Sequence, residues 1–249
     1  MIKISVVVPF YNPPVHLFSE CLRALKQLNP YEVILVDDCS SDNQAVQMAQ
    51  ISRFVYLKTP YQSGHDGMPY NIGARYASGD YICRVDADDV LLDLPNTMNA
   101  DIHFGRLNRV KAPVGITVEE LILAPRAIMN GMVIKKEIAL RYPSAEDKNV
   151  YGDVLFALRV LHNRHSYSVH PTVNYIYHKH PTSIQNSKPL FYHRMRHIQT
   201  VARFCQLEQI DPKQSIRYLE MAMLNVRHGS NSLKLFHQKN LSDNSKDTS

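Results

Sequence analysis

No stretch of the 249-residue chain approaches the roughly 20 consecutive apolar residues that span a bilayer, so no integral membrane segment is expected. Cysteine is scarce and scattered. Cys21, Cys39, Cys83 and Cys205 form no Cys-x-x-Cys pair, and the apolar run after Met1 has the length of a strand, not of a secretory leader. Reduced, mostly buried thiols in a cytoplasmic protein are the expectation. The chain also lacks a Gly-rich Walker loop, a His-Glu-x-x-His helix and a Gly-x-Ser-x-Gly elbow, so ATPase, zinc protease and serine hydrolase chemistry have no residues to carry them. Charge of one sign is also in short supply: the formal +5 comes from 28 Lys and Arg against 23 Asp and Glu. The basic residues are dispersed without an aromatic-plus-basic repeat, which argues against nucleic acid and leaves a mild preference for anionic substrates or surfaces. There is no internal repeat, and only segment 241–249 is too polar to pack, so it is expected to be a disordered tail.

What the chain does have is 45% hydrophobic residues, ample for the core of one α/β domain with additions. Two β-branched apolar runs, from Ile4 to Phe10 and from Glu32 to Val36, are each stopped by turn formers or acids, as expected of strands buried on both faces of a parallel sheet. Between them Leu17, Cys21, Leu22, Leu25 and Leu28 recur at helical spacing, which completes a strand, helix, strand unit. A third run, Tyr81-Ile82-Cys83, leads into Arg84-Val85-Asp86-Ala87-Asp88-Asp89. Three carboxylates this close repel one another unless a cation or a set of donors compensates them. The cluster therefore points to a hard metal ion beside a phosphate or polyhydroxyl ligand, with a solvated acidic turn as the plain alternative. Ligands of open α/β sheets bind beyond the carboxyl ends of the strands, so Tyr11, Asp38 and the acids from Asp86 to Asp89 should face one crevice.

Four segments, taken in order, resemble the inverting family 2 glycosyltransferases of the GT-A fold. They are Val6-Val7-Val8-Pro9-Phe10-Tyr11-Asn12, Val36-Asp37-Asp38-Cys39-Ser40-Ser41-Asp42, Asn71-Ile72-Gly73 with Ala77-Ser78-Gly79-Asp80-Tyr81-Ile82, and the Asp-x-Asp segment Val85-Asp86-Ala87-Asp88-Asp89. Two later stretches extend the likeness. Asp153 to Arg159 is similar to the family's Asp-bearing helix start, and Tyr177-His178-Lys179-His180-Pro181-Thr182-Ser183-Ile184 to its late Tyr-Arg-x-His-Pro-x-Ser-Ile segment; 91–148 matches nothing quotable. The resemblance implies an α/β GT-A domain over 1–187 and a C-terminal helical extension over 188–240. It implies transfer of a sugar from a nucleotide sugar, UDP-linked, to a glycan or glycolipid acceptor in bacterial lipopolysaccharide or capsule synthesis, with Mn2+ or Mg2+ as cofactor.

Site roles follow from the same likeness. Asp88 is the candidate direct metal ligand, Asp86 would take the ribose hydroxyls, Asp89 would sit near the donor sugar or the metal's water shell, and His180 is a candidate metal or diphosphate ligand. Pro9 and Tyr11 would lie against the base. Asp38 would accept the uracil imide proton, since an acid directly after a buried strand has little to gain from packing. Asp153 is the candidate general base, with the Glu146-Asp147 pair as its rival. Three departures from the family pattern stand out: Gly152 where Glu is usual, Cys39 where Gly is usual, and Tyr70 where Arg is frequent, with Arg75 or His65 as substitutes.

Beyond Pro189, Phe191, Met195, Ile198, Ala202 and Cys205 line one expected helical face. Asp211-Pro212 opens a second helix with Ile216, Leu219, Met223 and Val226 on one side. These helices are expected to pack on the domain; the alternative is docking through Arg194, Arg196, Arg203 and Lys213 on an anionic membrane surface, peripheral to the inner face of the cell membrane. Two other functions compete. A sugar nucleotidyltransferase wants a Gly-rich, Lys- or Arg-bearing loop where this chain has Tyr11-Asn12-Pro13-Pro14, and a non-catalytic nucleotide-sugar-binding scaffold is suggested by Gly152.

Overall fold

The apolar runs become neighbouring strands in a computed structural model, which describes residues 2–125, 129–147, 149–179 and 189–228 with Ser232 and Phe236. Strand β1 (Ile4–Phe10) is buried along its whole length. It pairs in parallel with β2 (Glu32–Asp37) on one side and β4 (Tyr81–Arg84) on the other, and β3 (Val55–Lys58) extends the sheet beyond β2. Alternation sorts the side chains. Val6, Val8 and Leu35 face the layer containing α1 (Val15–Leu28), while Val7, Ile34 and Val36 face the layer that begins with α3 (Gly67–Tyr76). Gly73 lets α3 approach β1 closely, because a Cβ there would lie 2.4 Å from Val7. The face expected of α1 is the one observed, with Leu17, Phe18, Cys21, Leu22 and Leu25 buried.

The second half of the sheet comes from the stretch that the sequence left unaligned. Strand β7 (Val133–Lys135) inserts antiparallel between β4 and β6 (Ile102–Phe104), and β8 (Tyr167–Val169) closes the order β3-β2-β1-β4-β7-β6-β8. A short ribbon pairs β5 (Val90–Leu91) with β9 (Tyr175–Ile176). The remaining helices are α2 (Asn43–Ile51), α4 (Val118–Leu123), α5 (Lys136–Arg141), α6 (Gly152–His162), α7 (Leu190–Leu207) and α8 (Pro212–His228).

Helices α7 and α8 share one core cluster with α4 and α6, on faces rotated from those expected: Cys205 is buried and Ile198 and Leu219 pack against the cluster as expected, while the other positions differ. The buried positions are His197, Thr200, Val201, Phe204 and Cys205 in α7, and Tyr218, Met221 and Ala222 in α8. Phe191 is 70% exposed, and Met195, Ala202, Ile216 and Met223 are exposed too. Two polar residues explain the rotation. His197 Nε2 lies 2.7 Å from the Ile122 carbonyl, although its Nδ1 is buried without a partner among the described residues, and the Thr200 hydroxyl accepts from the Tyr151 amide at 2.8 Å, so each is anchored inward by a hydrogen bond. Arg196 is withdrawn from any membrane-facing role. Its guanidinium packs over the Tyr151 ring at 4.4 Å and donates to the Val150 carbonyl at 2.6 Å. No helix among the described residues is long and apolar enough to cross a membrane. His180, the 187/188 boundary and the tail from 241 lie outside the described residues.

Candidate active site

The nucleotide side is made by the carboxyl ends of β1 and β2. Pro9 is buried within β1, opposite Val36; pairing with β4 has already ended at Val7, so no ladder bond is lost to its missing N–H. Tyr11, two residues on, is 44% exposed. Asn12 adopts φ +42° and ties the two strand ends together: its Oδ1 accepts from the Ser41 and Asp42 amides at 2.9 and 2.8 Å. Asp38 is only 3% exposed. Its Oδ1 accepts from Thr59 Oγ1 at 3.1 Å and its Oδ2 from Ser63 Oγ at 2.9 Å and the Gly64 amide at 3.2 Å, while the Ser63 amide is shared between both oxygens at 3.0 and 3.1 Å. Cys39 does take the left-handed φ of +60° that its usual glycine would tolerate, and its thiol is anchored on the Thr59 carbonyl at 3.3 Å.

The acid loop follows β4. Arg84, 4% exposed, turns its guanidinium toward the loop: Nε and Nη2 donate to Asp86 Oδ1 at 3.3 and 3.1 Å, and Nη2 also donates to Asp66 at the start of α3. Tyr70, at the position where the family often carries Arg, is fully buried with its ring 5.7 Å from the Arg84 guanidinium. The buried cation beside this position comes from β4. Neither proposed substitute supplies it: His65 Nδ1 accepts from the Gly67 and Met68 amides at the start of α3, and Arg75 is exposed in the helix's last turn.

Asp86 Oδ2 accepts from Asn130 Nδ2 at 2.7 Å, and the Asp86 side chain keeps 29% exposure. Asp89 is only 1% exposed. It accepts from the Tyr175 hydroxyl at 2.9 Å, the His178 amide at 2.8 Å and Asn130 at 3.3 Å, so it fastens the loop to the segment after β9. Burial first, then the neighbouring Asp86 and Asp88, push the Asp89 carboxyl up to about 8, against the lowering pull of the His178 amide. Burial likewise raises Asp86, opposed by Arg84 and reinforced by Asp88 and Asp66. Asp88 is half-buried, and His178 Nδ1 sits 2.8 Å from its carbonyl. The loop thus carries more negative charge than Arg84 neutralises. Among the described residues no three His, Cys, Asp or Glu side chains form a closed metal cage. Hard carboxylate oxygens with surplus charge and few protein ligands fit a divalent ion that completes its shell with phosphate and water.

The acceptor side is built from two helix starts. Asp153 lies in the first turn of α6, and the groups acting on it are Arg84, Asp66 and Asp86, which brings it to the same crevice as the acid loop. Burial is the largest influence and lifts its carboxyl to about 6; Asp66 and Asp86 add to this, and Arg84 and the Val154 amide oppose it. The strap 144–146 is wedged between these helix starts. A Cβ on Gly67 would lie 2.0 Å from the Ala145 carbonyl oxygen, and a Cβ on Gly152 would lie 2.9 Å from Ser144 Oγ. At Gly152 only the Ser144 hydroxyl would have to turn aside, since the strap's backbone stays at 3.5 Å or more. Asn71 holds the same strap, donating to the Ser144 carbonyl and Glu146 Oε1 at 2.9 Å each and accepting from the Ser144 amide at 2.9 Å. Asp147 is exposed and accepts from the Asn149 amide at 2.8 Å, closing a turn. Asn71 and the acids were visible in the sequence; Arg84, Asn130 and Tyr175 were not, because their partners come from distant segments.

Residues 5–98 match the model of Glycosyl transferase family 2. This segment is a family 2 glycosyltransferase domain. Asp153 lies beyond it, so the match covers the nucleotide side and not the acceptor side. A poly(ribitol-phosphate) beta-glucosyltransferase of Bacillus spizizenii is 39% identical over 97 residues, which are 36% of this chain and 15% of that protein. The chain therefore spans a minor part of that relative's length. Among solved structures, S. aureus TarS 1-349 in complex with UDP-GlcNAc superposes with a TM-score of 0.65 at 19% identity, covering 93% of this chain and 74% of that one. The mannosyltransferase PcManGT from Pyrobaculum calidifontis, in complex with GDP-Man and Mn2+, gives a TM-score of 0.59 at 18% identity over 96% of this chain and 79% of that one. The family 2 domain thus sits in a GT-A fold that extends over nearly the whole chain.

Proposed function

We propose that this chain is an inverting, metal-dependent glycosyltransferase that moves a sugar from a UDP-sugar to a glycan or glycolipid acceptor, of the kind that builds bacterial lipopolysaccharide or capsule. The observation that carries the reading is the acid loop itself, Asp86 held by the buried Arg84, together with the raised carboxyl of Asp153, on which Arg84, Asp66 and Asp86 all act. The B. spizizenii relative is named for glucosyl transfer to poly(ribitol-phosphate), and the TarS structure holds UDP-GlcNAc, which supports both halves of the assignment.

Each step has a residue. The uracil lies against the exposed Tyr11. Asp38 accepts its imide proton by releasing half of the shared Ser63 amide bond, so the loop is not left without a partner. Asp86, with Oδ1 held by Arg84 and Oδ2 by Asn130, offers the 29% of its side chain that stays exposed to the ribose hydroxyls. Asp88 would hold the divalent ion, with His180 as a second candidate ligand. The ion, when bound, offsets the charge that the diphosphate gathers as the glycosidic bond breaks. Asp153 takes the proton of the acceptor hydroxyl as that oxygen bonds to the anomeric carbon opposite the departing diphosphate, which inverts the configuration. A carboxyl lifted to about 6 is ionised at neutral pH yet basic enough for this work. The nucleotidyltransferase alternative lacks a basic residue in the loop after β1, where Asn12 is pinned to 41–42 instead.

Calorimetry with UDP, ADP and a panel of UDP- and GDP-sugars, with Mn2+ and then with chelator, tests the reading. UDP-sugars should bind best and lose at least about tenfold in affinity on chelation. Equal affinity in both conditions would remove the metal, and no binding of any nucleotide sugar would remove the reading.

A further inference from the structure

Among the described residues Tyr177 carries a half-buried aromatic hydroxyl that the assigned steps leave unused although its segment is tied to their acids. It follows β9, whose alternation puts it on the same side as Tyr175, two residues earlier. The Tyr175 hydroxyl is consumed, accepting from the Asp86 amide at 3.0 Å and donating to Asp89 at 2.9 Å. The segment that carries Tyr177 is held on both sides. Its own amide donates to Asn108 Oδ1 at 3.0 Å, and the next residue, His178, donates its amide to Asp89 and sets Nδ1 against the Asp88 carbonyl. The Tyr177 ring packs half-buried on the cluster beneath β1 and α1. Its hydroxyl makes no hydrogen bond to any described residue. Burial is the main influence raising its phenol, and the other contributors are Asp89, Asp86, Asp88 and Asp153. A phenol on a segment fastened to the acid loop through His178, yet bonded to no described residue, is free to donate to a ligand.

The position decides which ligand group it meets. Asp88 marks the diphosphate and Asp153 the acceptor hydroxyl, and Tyr177 is within reach of the charge of both. Between those two lies the transferred sugar. Carboxylates only accept hydrogen bonds, so a subsite lined by Asp86, Asp88 and Asp153 alone can satisfy sugar O–H donors but not sugar oxygens that need a donor. From this placement, and resting on the proposed glycosyl transfer, we infer that Tyr177 is a specificity-determining residue whose hydroxyl donates to an oxygen of the donor sugar, and not to the nucleotide.

Tyr177→Phe removes the hydroxyl and keeps the ring. Calorimetry in Mn2+ would compare UDP with UDP-Glc, UDP-GlcNAc, UDP-Gal and UDP-GalNAc on the wild type and the variant. The expected result is UDP affinity unchanged within about twofold, affinity for the preferred UDP-sugar lowered about tenfold, and the spread among the four sugars narrowed. UDP affinity serves as the check that the variant's crevice is folded. Equal loss for UDP and UDP-sugar, or no loss for either, would overturn the assignment while leaving the proposed transfer intact. A wild type that binds UDP but gains nothing from any attached sugar would also overturn it. If the wild type bound no nucleotide sugar, the proposed function would fall first and this inference with it.

Discussion

The two sides of the crevice are assembled in different ways. The nucleotide side consists of the ends of β1, β2 and β4, three adjacent strands whose polar stops carry Tyr11, Asp38 and the acid loop. The acceptor side is a helix start held from elsewhere: the Tyr151 amide donates to Thr200, Arg196 caps the Val150 carbonyl, and Tyr151 Oη lies 2.7 Å from His193 Nδ1. Helix α7 thus braces the residues just before Asp153. On the proposed function, the difference assigns binding and transfer to separable structures. The first sits within the family 2 segment and the second depends on contacts across the whole fold.

The comparison can be broken most severely at the metal. Asp88→Asn removes the charge with little change of shape, and transfer should fall by at least about 10³-fold, with thermal stability close to wild type. Normal turnover in a Mn2+-supplemented assay would place the ion elsewhere. The acceptor side alone should yield to Gly67→Ala. Its Cβ would lie 2.0 Å from the Ala145 carbonyl, so the strap must move; transfer should drop about 10²-fold and stability by about 1–3 kcal/mol, while UDP affinity holds. A parallel loss of UDP affinity would show that the two sides are not separable. The nucleotide side alone should yield to Asp38→Ala, which should narrow the preference for UDP over ADP by about 1.5–3 kcal/mol in competition titrations. An unchanged preference would move base recognition to another residue.

Acid should also separate the sides, more gently. Because the working base must be ionised, and its carboxyl is raised to about 6, the transfer rate should be level above that pH and fall about tenfold per unit below it. A rate that stayed level down to pH 5, measured with donor saturating, would exclude Asp153 as the titrating base.

The same contrast governs what could be read from sequence. Strands β1, β2 and β4 were legible because strands buried on both faces are nearly continuous apolar runs, and their polar stops mark the crevice directly. The faces of α7 and α8 were misjudged because apolar periodicity assumes that polar residues face water. His197 and Thr200 are buried with partners, while Phe191 and Met195 lie outside. The insertion of β7 between β4 and β6 was not legible, since it pairs strands some 50 residues apart with no local signature. Arg84 was visible as a letter but not as the cation between Asp66 and Asp86, because Asp66 reaches it only through α3.

The most direct test of the division between binding and transfer is a pair of numbers for Asp153→Asn, the donor dissociation constant and the transfer rate measured on the same preparation. Asparagine keeps the shape at the start of α6 and removes the basicity. The account predicts UDP-sugar affinity within about twofold of wild type and transfer lowered by about 10²- to 10⁴-fold, with Asp147→Asn nearly unaffected. Full transfer by Asp153→Asn, above all beside an inactive Asp147→Asn, would contradict it and move the base to the Glu146-Asp147 strap.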